Sequence, residues 1–209
     1  MKKGKFITLE GGEGVGKSTN LQFIQQYLQN RGVEVCLTRE PGGTPLAERI
    51  RGLLLDHGEE SVTPEAELLL VFAARAQHLQ HFILPTLRQG QWVLCDRFTD
   101  ATYAYQGGGR QMDKACIAWL ENTVQGGLRP DITLLLDAPV EIGMQRAQKR
   151  GELDRFETER QDFFERVRNS YLQQAQANPQ RYRVVDASQP LLAVQEQITQ
   201  ILEDLIKPV

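Results

Sequence analysis

Phe6-Ile-Thr-Leu-Glu10-Gly-Gly-Glu-Gly-Val-Gly16-Lys17-Ser18-Thr19 is the segment that decides the fold. A short apolar strand, Phe6 to Leu9, runs into a glycine-rich turn that opens a helix. Gly11, four intervening residues and then Gly16-Lys17-Ser18 match the phosphate-binding loop pattern. Glycines let backbone N–H groups turn towards an anion, and the start of a helix adds unpaired N–H groups and the positive end of its dipole. We therefore predict that the whole loop binds nucleotide phosphates: Gly11, Gly12, Glu13, Gly14, Val15, Gly16, Lys17, Ser18 and Thr19.

Two side chains of this loop have expected roles of their own. Lys17 carries a mobile charge for the β- and γ-phosphates, and the Ser18 hydroxyl can ligate Mg²⁺. The alternative is an ordinary glycine-rich turn, because such a pattern arises by chance in roughly one chain per hundred. The strand before the turn and the helix after it favour the phosphate loop.

Length, composition and charge limit the class of protein. The chain has 209 residues and a net charge of −3, which predicts one domain over 1–209 and no general attraction to nucleic acid. The apolar run after Met1 to Lys5 ends at Glu10, too early for a signal peptide, and no stretch approaches a membrane span. The three cysteines have no zinc-site spacing, so we expect reduced thiols, a cytoplasmic location and no membrane partner.

The rest of the chain alternates short strands with helices. One helix begins at Thr63-Pro64 and is expected to end where it meets Pro85. This alternation predicts parallel pairing with right-handed crossovers, hence a three-layer α/β sandwich of the P-loop NTPase type with helices on both faces. The five predicted strands are Phe6–Leu9, Val33–Leu37, Gln91–Cys95, Asp131–Leu136 and Tyr182–Asp186.

Charged residues follow two of these strands. Ligands of parallel sheets collect outside the carboxyl ends of the strands, so Arg39 is a candidate anion contact. Asp96, beside the phosphate loop, suits Mg²⁺ held through water, and Arg97 suits a second phosphate. The alternative for Asp96 and Arg97 is a structural ion pair.

Phe72 and Arg75 lie three residues apart on the most apolar helix. Either they share a face that holds a planar polar ligand, or Phe72 belongs to the core and Arg75 snorkels or pairs internally.

A basic segment follows the fourth strand. Arg146, Lys149 and Arg150 share a helix face and Arg155 follows, which suits either a solvated surface or a lid, about 146–158, that closes over triphosphate. Together with Arg39 and Arg97, this is more positive charge than one triphosphate needs. The surplus predicts a second phosphorylated substrate and phosphoryl transfer between nucleotides.

Five motifs, in the same order along essentially the whole chain, resemble those of thymidylate kinases. They are Phe6 to Thr19, Thr38-Arg-Glu-Pro-Gly-Gly-Thr44, Asp96-Arg-Phe98, Ala104-Tyr-Gln-Gly107 and Asp154-Arg-Phe-Glu157. The resemblance implies a nucleoside monophosphate kinase that converts dTMP to dTDP with ATP and Mg²⁺, and a homodimer.

The resemblance also implies roles for single residues. Phe72 would stack on thymine, Arg75 would bond its carbonyl edge, and Thr102 and Gln106 would lie at the base. Tyr105 would press on the sugar where a 2′-hydroxyl would sit. The acceptor phosphate would contact Arg39 and Arg97, while Glu10 and Asp96 would order metal and water.

The catalytic charge is expected from the lid, as in the bacterial type of this family. Eukaryotic members carry a basic residue in the phosphate loop, where this chain has Glu13. The predicted catalytic set is therefore Lys17, Arg97, Glu10, Arg146, Arg150 and Arg155. Two alternatives remain open: a P-loop kinase for another pyrimidine monophosphate or a deoxynucleoside, and a P-loop switch or regulatory ATPase without a small acceptor. A GTPase is disfavoured because the Asn-Lys-x-Asp and Asp-x-x-Gly tetrads do not occur.

Overall fold

A computed structural model of the chain describes residues 4–56, 60–149 and 155–207. Its five strands form one parallel sheet in the order β2-β3-β1-β4-β5, which confirms the predicted architecture. The second strand begins and ends two residues later than predicted, and the third strand one residue later. Arg39 and Asp96 are therefore the last residues of their strands and do not follow them. The strands are β1 Phe6–Glu10, β2 Val35–Arg39, β3 Trp92–Asp96, β4 Ile132–Asp137 and β5 Tyr182–Asp186.

Helices connect these strands, and two π-helical turns, Leu79–Ile83 and Tyr103–Gly109, continue helices that precede them. The first helix begins directly after Gly16, the left-handed residue that closes the phosphate loop. The α-helices are α1 Lys17–Gln29, α2 Pro45–Leu55, α3 Pro64–His78, α4 Leu84–Arg88, α5 Thr99–Thr102, α6 Lys114–Gln125, α7 Val140–Gln148, α8 Gln161–Ala177 and α9 Leu191–Ile206.

The sheet is covered on both faces, as in a three-layer sandwich. Because successive strand residues point to opposite faces, Phe6 and Ile7 belong to different core clusters. On the Ile7 face the sheet packs against α1 and α9, through residues such as Ile24 and Ile198. On the opposite face it packs against the π-helical turn after α3 and against α8. The carboxyl ends of the strands therefore remain as the open edge where ligands can reach.

The helix that was expected to end at Pro85 continues to Arg88. Pro85 lies at the start of α4, directly after the π-helical turn Leu79–Ile83. Proline lacks an N–H group and its ring collides with the carbonyl four residues earlier, but both problems are relieved at a first helical turn. The wider π-helical turn moves the preceding carbonyls, so the helix passes the proline without a break.

Only the ends of the predicted lid can be described. Helix α7 ends at Gln148, and 155–158 form turns, whereas Arg150 and the neighbouring residues 151–154 lie outside the described residues. Within the described parts of the chain, no helix is long and apolar enough to cross a membrane.

Candidate active site

The phosphate loop is shaped by glycines and held against α7. Gly11, Gly14 and Gly16 have φ angles of 139°, 67° and 88°, in the region that side chains rarely adopt. A methyl group on Gly14 would collide with the backbone of Gly143, and one on Gly143 would collide with Glu13 O. The loop and α7 thus touch backbone to backbone, which fixes the position of the loop relative to the start of the lid.

Lys17 is folded onto its own loop. Its Nζ donates to Gly12 O at 2.6 Å and to Gly11 O at 3.1 Å, and the side chain is buried. Burial, reinforced by the charge of Arg97, lowers the pKa of Lys17. Ser18 and Thr19 are exposed at the start of α1. The amine is therefore held at the loop, in reach of any anion that the loop takes up.

Arg97, Glu13 and Tyr105 form a compact polar triangle beside the loop. Arg97 Nη2 donates to Glu13 Oε1 at 2.6 Å and to the Tyr105 hydroxyl oxygen at 2.7 Å. The Tyr105 hydroxyl in turn donates to Glu13 Oε1 at 2.7 Å. Arg97 reaches this position from a left-handed backbone with φ 64°, and its Nε has no partner among the described residues. The triangle leaves one buried donor available for an anion.

The triangle forms one end of a cavity, and polar side chains predicted to read a base form the other end. The empty space measures about 580 Å³, including the part that is open to solvent. Five of the predicted substrate residues line it together: Arg75, Arg97, Thr102, Tyr105 and Gln106. An elongated ligand with an anionic end and a planar polar end suits this arrangement.

Arg75 is held by a chain of buried polar groups. Its Nε donates to Glu40 Oε2 at 2.7 Å and its Nη2 donates to Thr102 Oγ1 at 3.0 Å. The other Glu40 oxygen lies 3.0 Å from His78 Nδ1, and His78 Nε2 lies 2.7 Å from Thr38 Oγ1. Arg75 thus pairs internally and also lines the cavity, where its Nη1 has no partner among the described residues.

Phe72 does not line this cavity. It belongs to a core cluster with Leu68, Ile117 and Leu120, and its ring lies 4.8 Å from the Arg75 guanidinium. The geometry matches the alternative that placed Phe72 in the core, so stacking on a base stays a prediction. The ring of Phe98, 5.1 Å from the same guanidinium, does line the cavity, as does Phe156.

Arg39 also lies away from the cavity lining. Its side chain is 53% exposed and donates to Glu48 Oε2 at 2.8 Å. Glu48 is fixed in turn by the Gly43 N–H, at 2.9 Å. The pairing differs from the expected phosphate contact, because α2 brings a carboxylate to the strand end that the sequence pattern left open.

Glu10 is a core residue in this structure. One carboxyl oxygen accepts from the Phe98 N–H at 2.7 Å and the other from the Tyr171 hydroxyl at 2.8 Å. Complete burial, together with the charge of Asp100, raises the pKa of Glu10 to about 8. A carboxyl group that holds its proton at neutral pH is a poor ligand for Mg²⁺, which differs from the role expected of Glu10.

Asp96 is better suited to a metal. It ends β3 next to the phosphate loop, and its buried Oδ1 has no partner among the described residues. Among those residues there is no group of three or more His, Cys, Asp or Glu side chains that could hold a metal ion by itself. Mg²⁺ in phosphoryl-transfer sites is bound by one or two protein groups plus substrate phosphates, which this arrangement fits.

The two described lid arginines are held at opposite ends of the segment. Arg146 Nη1 donates to Ala187 O at 2.8 Å, in the turn after β5. Arg155 Nε donates to Leu54 O at 2.8 Å, and its Nη2 donates to the buried Glu67 at 2.7 Å. Arg155 therefore faces α2 and α3 and not the phosphate loop, because a buried carboxylate binds it there.

Three carboxylates of this region were missed as site residues with roles of their own. Glu13 was assigned to the loop, yet its side chain lines the cavity and binds Arg97. Glu40 and Glu67 are both buried, beneath Arg75 and Gln106 respectively. Glu67 precedes the apolar run from Leu68 to Phe72, and this position on a buried helix was the one available signal.

Known proteins resemble this chain along nearly its whole length. A family model described as thymidylate kinase matches residues 9–198. The thymidylate kinase of Pseudomonas savastanoi pv. phaseolicola is 61% identical over 204 residues, which cover 98% of this chain and 97% of the relative. That of Pseudomonas fluorescens strain SBW25 is 60% identical over the same coverage. The crystal structure of thymidylate kinase from Ehrlichia chaffeensis is similar with a TM-score of 0.78 and 34% identity, covering 96% of this chain and 99% of that one.

Proposed function

Since the chain belongs to the thymidylate kinase family, we propose that its cavity is the dTMP site and its phosphate loop the ATP site. The enzyme phosphorylates dTMP to dTDP with ATP as the phosphate donor. The observation that carries the site assignment is the single cavity with an anion-binding end at Arg97 and a polar end at Arg75 and Gln106. Glu13 joins that cavity to the phosphate loop, so the two substrates would meet there.

At the phosphate end, Arg97 is the group that would hold the acceptor. Its unpaired Nε and its place beside Lys17 concentrate positive charge where two phosphates must approach each other. Glu13 and Tyr105 hold the guanidinium in position before the substrate arrives. Such preorganisation is the main protein contribution to phosphoryl transfer, which requires little covalent chemistry from the enzyme.

Mg²⁺ would be held by the Ser18 hydroxyl and by Asp96, directly or through water. The ion would neutralise charge on the β- and γ-phosphates. The unpaired buried oxygen of Asp96 and the exposed hydroxyl of Ser18 at the start of α1 support this assignment.

The lid arginines Arg146, Arg150 and Arg155 would supply charge to the transferring phosphoryl group, and Arg155 would first have to leave the carboxylate of Glu67. Glu13 occupies the loop position where a cation could otherwise reach it, while Lys17 would bind the β- and γ-phosphates and Arg97 the acceptor phosphate. Single alanine variants test this idea: at least one should lower kcat by about 10³-fold with both KM values within a few-fold. If all three kept near wild-type kcat, the basic segment would be only a solvated surface.

A homodimer would bury three helices that expose apolar side chains. Leu53 on α2, Leu69 on α3 and Trp119 on α6 are 62%, 59% and 65% exposed, and α3 packs against both other helices. Large exposed apolar side chains on adjacent helices favour an interface. Sedimentation should give twice the chain mass of 23.7 kDa, and Trp119→Lys should shift the measured mass towards that of a single chain.

The cytoplasmic location stays a prediction.

A coupled assay with ATP·Mg²⁺ tests the acceptor. The panel is dTMP, dUMP, UMP, CMP, AMP and thymidine, and dTMP should be used best. One methyl group in an apolar pocket is worth only about 1–3 kcal/mol, so dUMP should be a poor substrate. Equal turnover of AMP and dTMP would contradict the assignment. A nucleotide-dependent switch, the alternative function, would show no rise in melting temperature with dTMP alone.

A further inference from the structure

Glu67 is a buried carboxylate for which the proposed reaction has no use. It lies in the first turn of α3 and is 0% exposed. Its Oε1 accepts from Gln106 Nε2 at 2.8 Å and from Arg110 Nε at 3.3 Å, and its Oε2 accepts from Arg110 Nη2 at 3.2 Å and from Arg155 Nη2 at 2.7 Å. A charge removed from water in this way is tolerated only when it is paired, and the two guanidinium groups provide the pairing.

This pairing determines the orientation of the Gln106 amide. The Glu67 carboxylate faces three guanidinium N–H donors of Arg110 and Arg155, and a carboxylate only accepts hydrogen bonds. Gln106 must therefore turn its amide nitrogen to Glu67, since its carbonyl oxygen there would face another acceptor. The oxygen, Oε1, is left without a hydrogen bond in the described parts of the chain, and Gln106 lines the cavity. Glu67 thus makes Gln106 an acceptor towards the ligand.

Arg75 complements this acceptor with a donor. Two of its nitrogens are used by Glu40 and Thr102, whereas Nη1 has no partner among the described residues. A guanidinium only donates. The wall of the cavity therefore offers one fixed donor, from Arg75, and one fixed acceptor, from Gln106.

Thymine and uracil match this pattern, and cytosine reverses it. The former have an acceptor at O4 next to a donor at N3–H, while cytosine has a donor at N4 next to an acceptor at N3. We propose that Glu67 is a positioning residue that locks the Gln106 amide in its accepting orientation and so selects 4-oxo over 4-amino pyrimidines. This inference rests on the proposed function, because it assigns the base of the acceptor to this end of the cavity.

Glu67→Gln is the decisive variant, because the structure predicts which way the new amide will turn. Glu67 Oε2 accepts from Arg155 at 2.7 Å and from Arg110 at 3.2 Å, whereas Oε1 accepts from only one guanidinium nitrogen, Arg110 Nε at 3.3 Å, so the amide oxygen is favoured on the Oε2 side. The new NH₂ group then faces Gln106, which must reverse its own amide and present NH₂ to the cavity. The ratio of kcat/KM for dTMP to that for dCMP should fall about tenfold or more, since the reversed group leaves N3–H of thymine opposite a donor.

Three controls separate this effect from a loss of packing. Glu67→Asp keeps an acceptor-only group and should keep the wild-type ratio even if kcat falls. Glu121→Gln alters another buried carboxylate, which pairs with Tyr103 and Arg129 and does not touch Gln106, and should leave the ratio unchanged. In a Gln106→Met background, adding Glu67→Gln should not change the ratio further, because the amide that it acts on is absent.

The outcomes distinguish this proposal from the assignment of function. If the wild type did not phosphorylate dTMP, the proposed function would fail. If the wild type preferred dTMP and folded Glu67→Gln kept the dTMP/dCMP ratio within twofold, the role of Glu67 would be refuted and the function would stand.

A measurement on the wild type covers the case in which Glu67→Gln does not fold. The side-chain NH₂ of Gln106, labelled with ¹⁵N and assigned with Gln106→Met, should exchange slowly with solvent both before and after dTMP is added. Protection that appeared only with dTMP would show that the amide nitrogen faces the ligand, which would overturn the proposal.

Discussion

Gly143→Ala should push the phosphate loop away from helix α7 and slow phosphoryl transfer. Gly143 lies near the start of α7, and a methyl group there would come within 3.0 Å of Glu13 O, where ordinary contacts begin at 3.4 Å. The loop and the helix must therefore separate by at least 0.4 Å. Both partners are backbone, so no change of rotamer can absorb the overlap. The displaced residue, Glu13, is the one that holds Arg97.

The expected loss follows from the size of this displacement. A misplacement of 1 Å in a reacting geometry costs on the order of 100-fold, so the shift imposed here predicts about a tenfold or greater loss of kcat. Overpacking costs about 1–3 kcal/mol of stability, and alanine in place of glycine within a helix returns about 1 kcal/mol. The variant should therefore remain folded under assay conditions while its turnover falls.

The assay measures kcat, both KM values and the melting temperature, with Gly52→Ala as the matched control. Gly52 is also a glycine inside a helix, but among the described residues no atom beyond its own helix backbone and chain neighbours lies within 4 Å of the position that its methyl group would occupy. That variant should gain stability and keep wild-type turnover. The reasoning is refuted if Gly143→Ala and Gly52→Ala have the same kcat within twofold.

Three further predictions concern the cavity and the core. Arg97→Ala should lower kcat/KM for dTMP by an amount equivalent to about 1.5–3 kcal/mol of transition-state stabilisation, with little change in KM for ATP. Arg39→Ala should lower it much less, because the Arg39 side chain is 53% exposed. Equal losses in the two variants would contradict the cavity assignment. Tyr105→Ala should relax the preference for deoxyribose over ribose, measured with the two sugar forms of TMP, and Tyr105→Phe should keep it, because the ring supplies the bulk. Burial raises the pKa of Glu10 to about 8, so its contribution to stability is complete below about pH 4.5 and is lost as the pH rises through 8. Urea midpoints at pH 5 and pH 8 should therefore differ less in Glu10→Gln than in the wild type, and an unchanged difference would remove Glu10 as the cause.

Features that depend on short-range pattern were predictable from the sequence. The spacing of Gly11, Gly16 and Lys17 predicts the phosphate loop between β1 and α1, because the glycines determine the local backbone conformation and Lys17 begins the helix that follows. Alternating strands and helices led in the same way to the five-stranded parallel sheet. Arg75 was identified because a guanidinium in an apolar run needs a partner, and Arg97 because it follows a strand end, where the ligands of parallel sheets collect.

Features that depend on contacts between residues far apart in the sequence were not predictable from it. Arg39 and Arg155 both looked available for phosphate, but Glu48 and Glu67, from other elements, bind them. The resemblance implied that Glu10 orders metal and water, yet α8 brings Tyr171 against it and its carboxyl group is buried. In each case the decisive partner lies on another element, which spacing along the chain does not reveal.

The buried chain that runs from Arg75 through Glu40 to His78 also restricts how this family member can evolve. Removing one partner of a buried ion pair costs about 3–5 kcal/mol, a large share of the about 5–15 kcal/mol that stabilises a typical domain. Most single mutations of Arg75, Glu40 or His78 would therefore be eliminated because they destabilise the protein, before any new substrate preference could be selected. Adaptive change in acceptor specificity is accordingly channelled to the cavity wall at Gln106 and Thr102, while the charges beneath it remain as inherited.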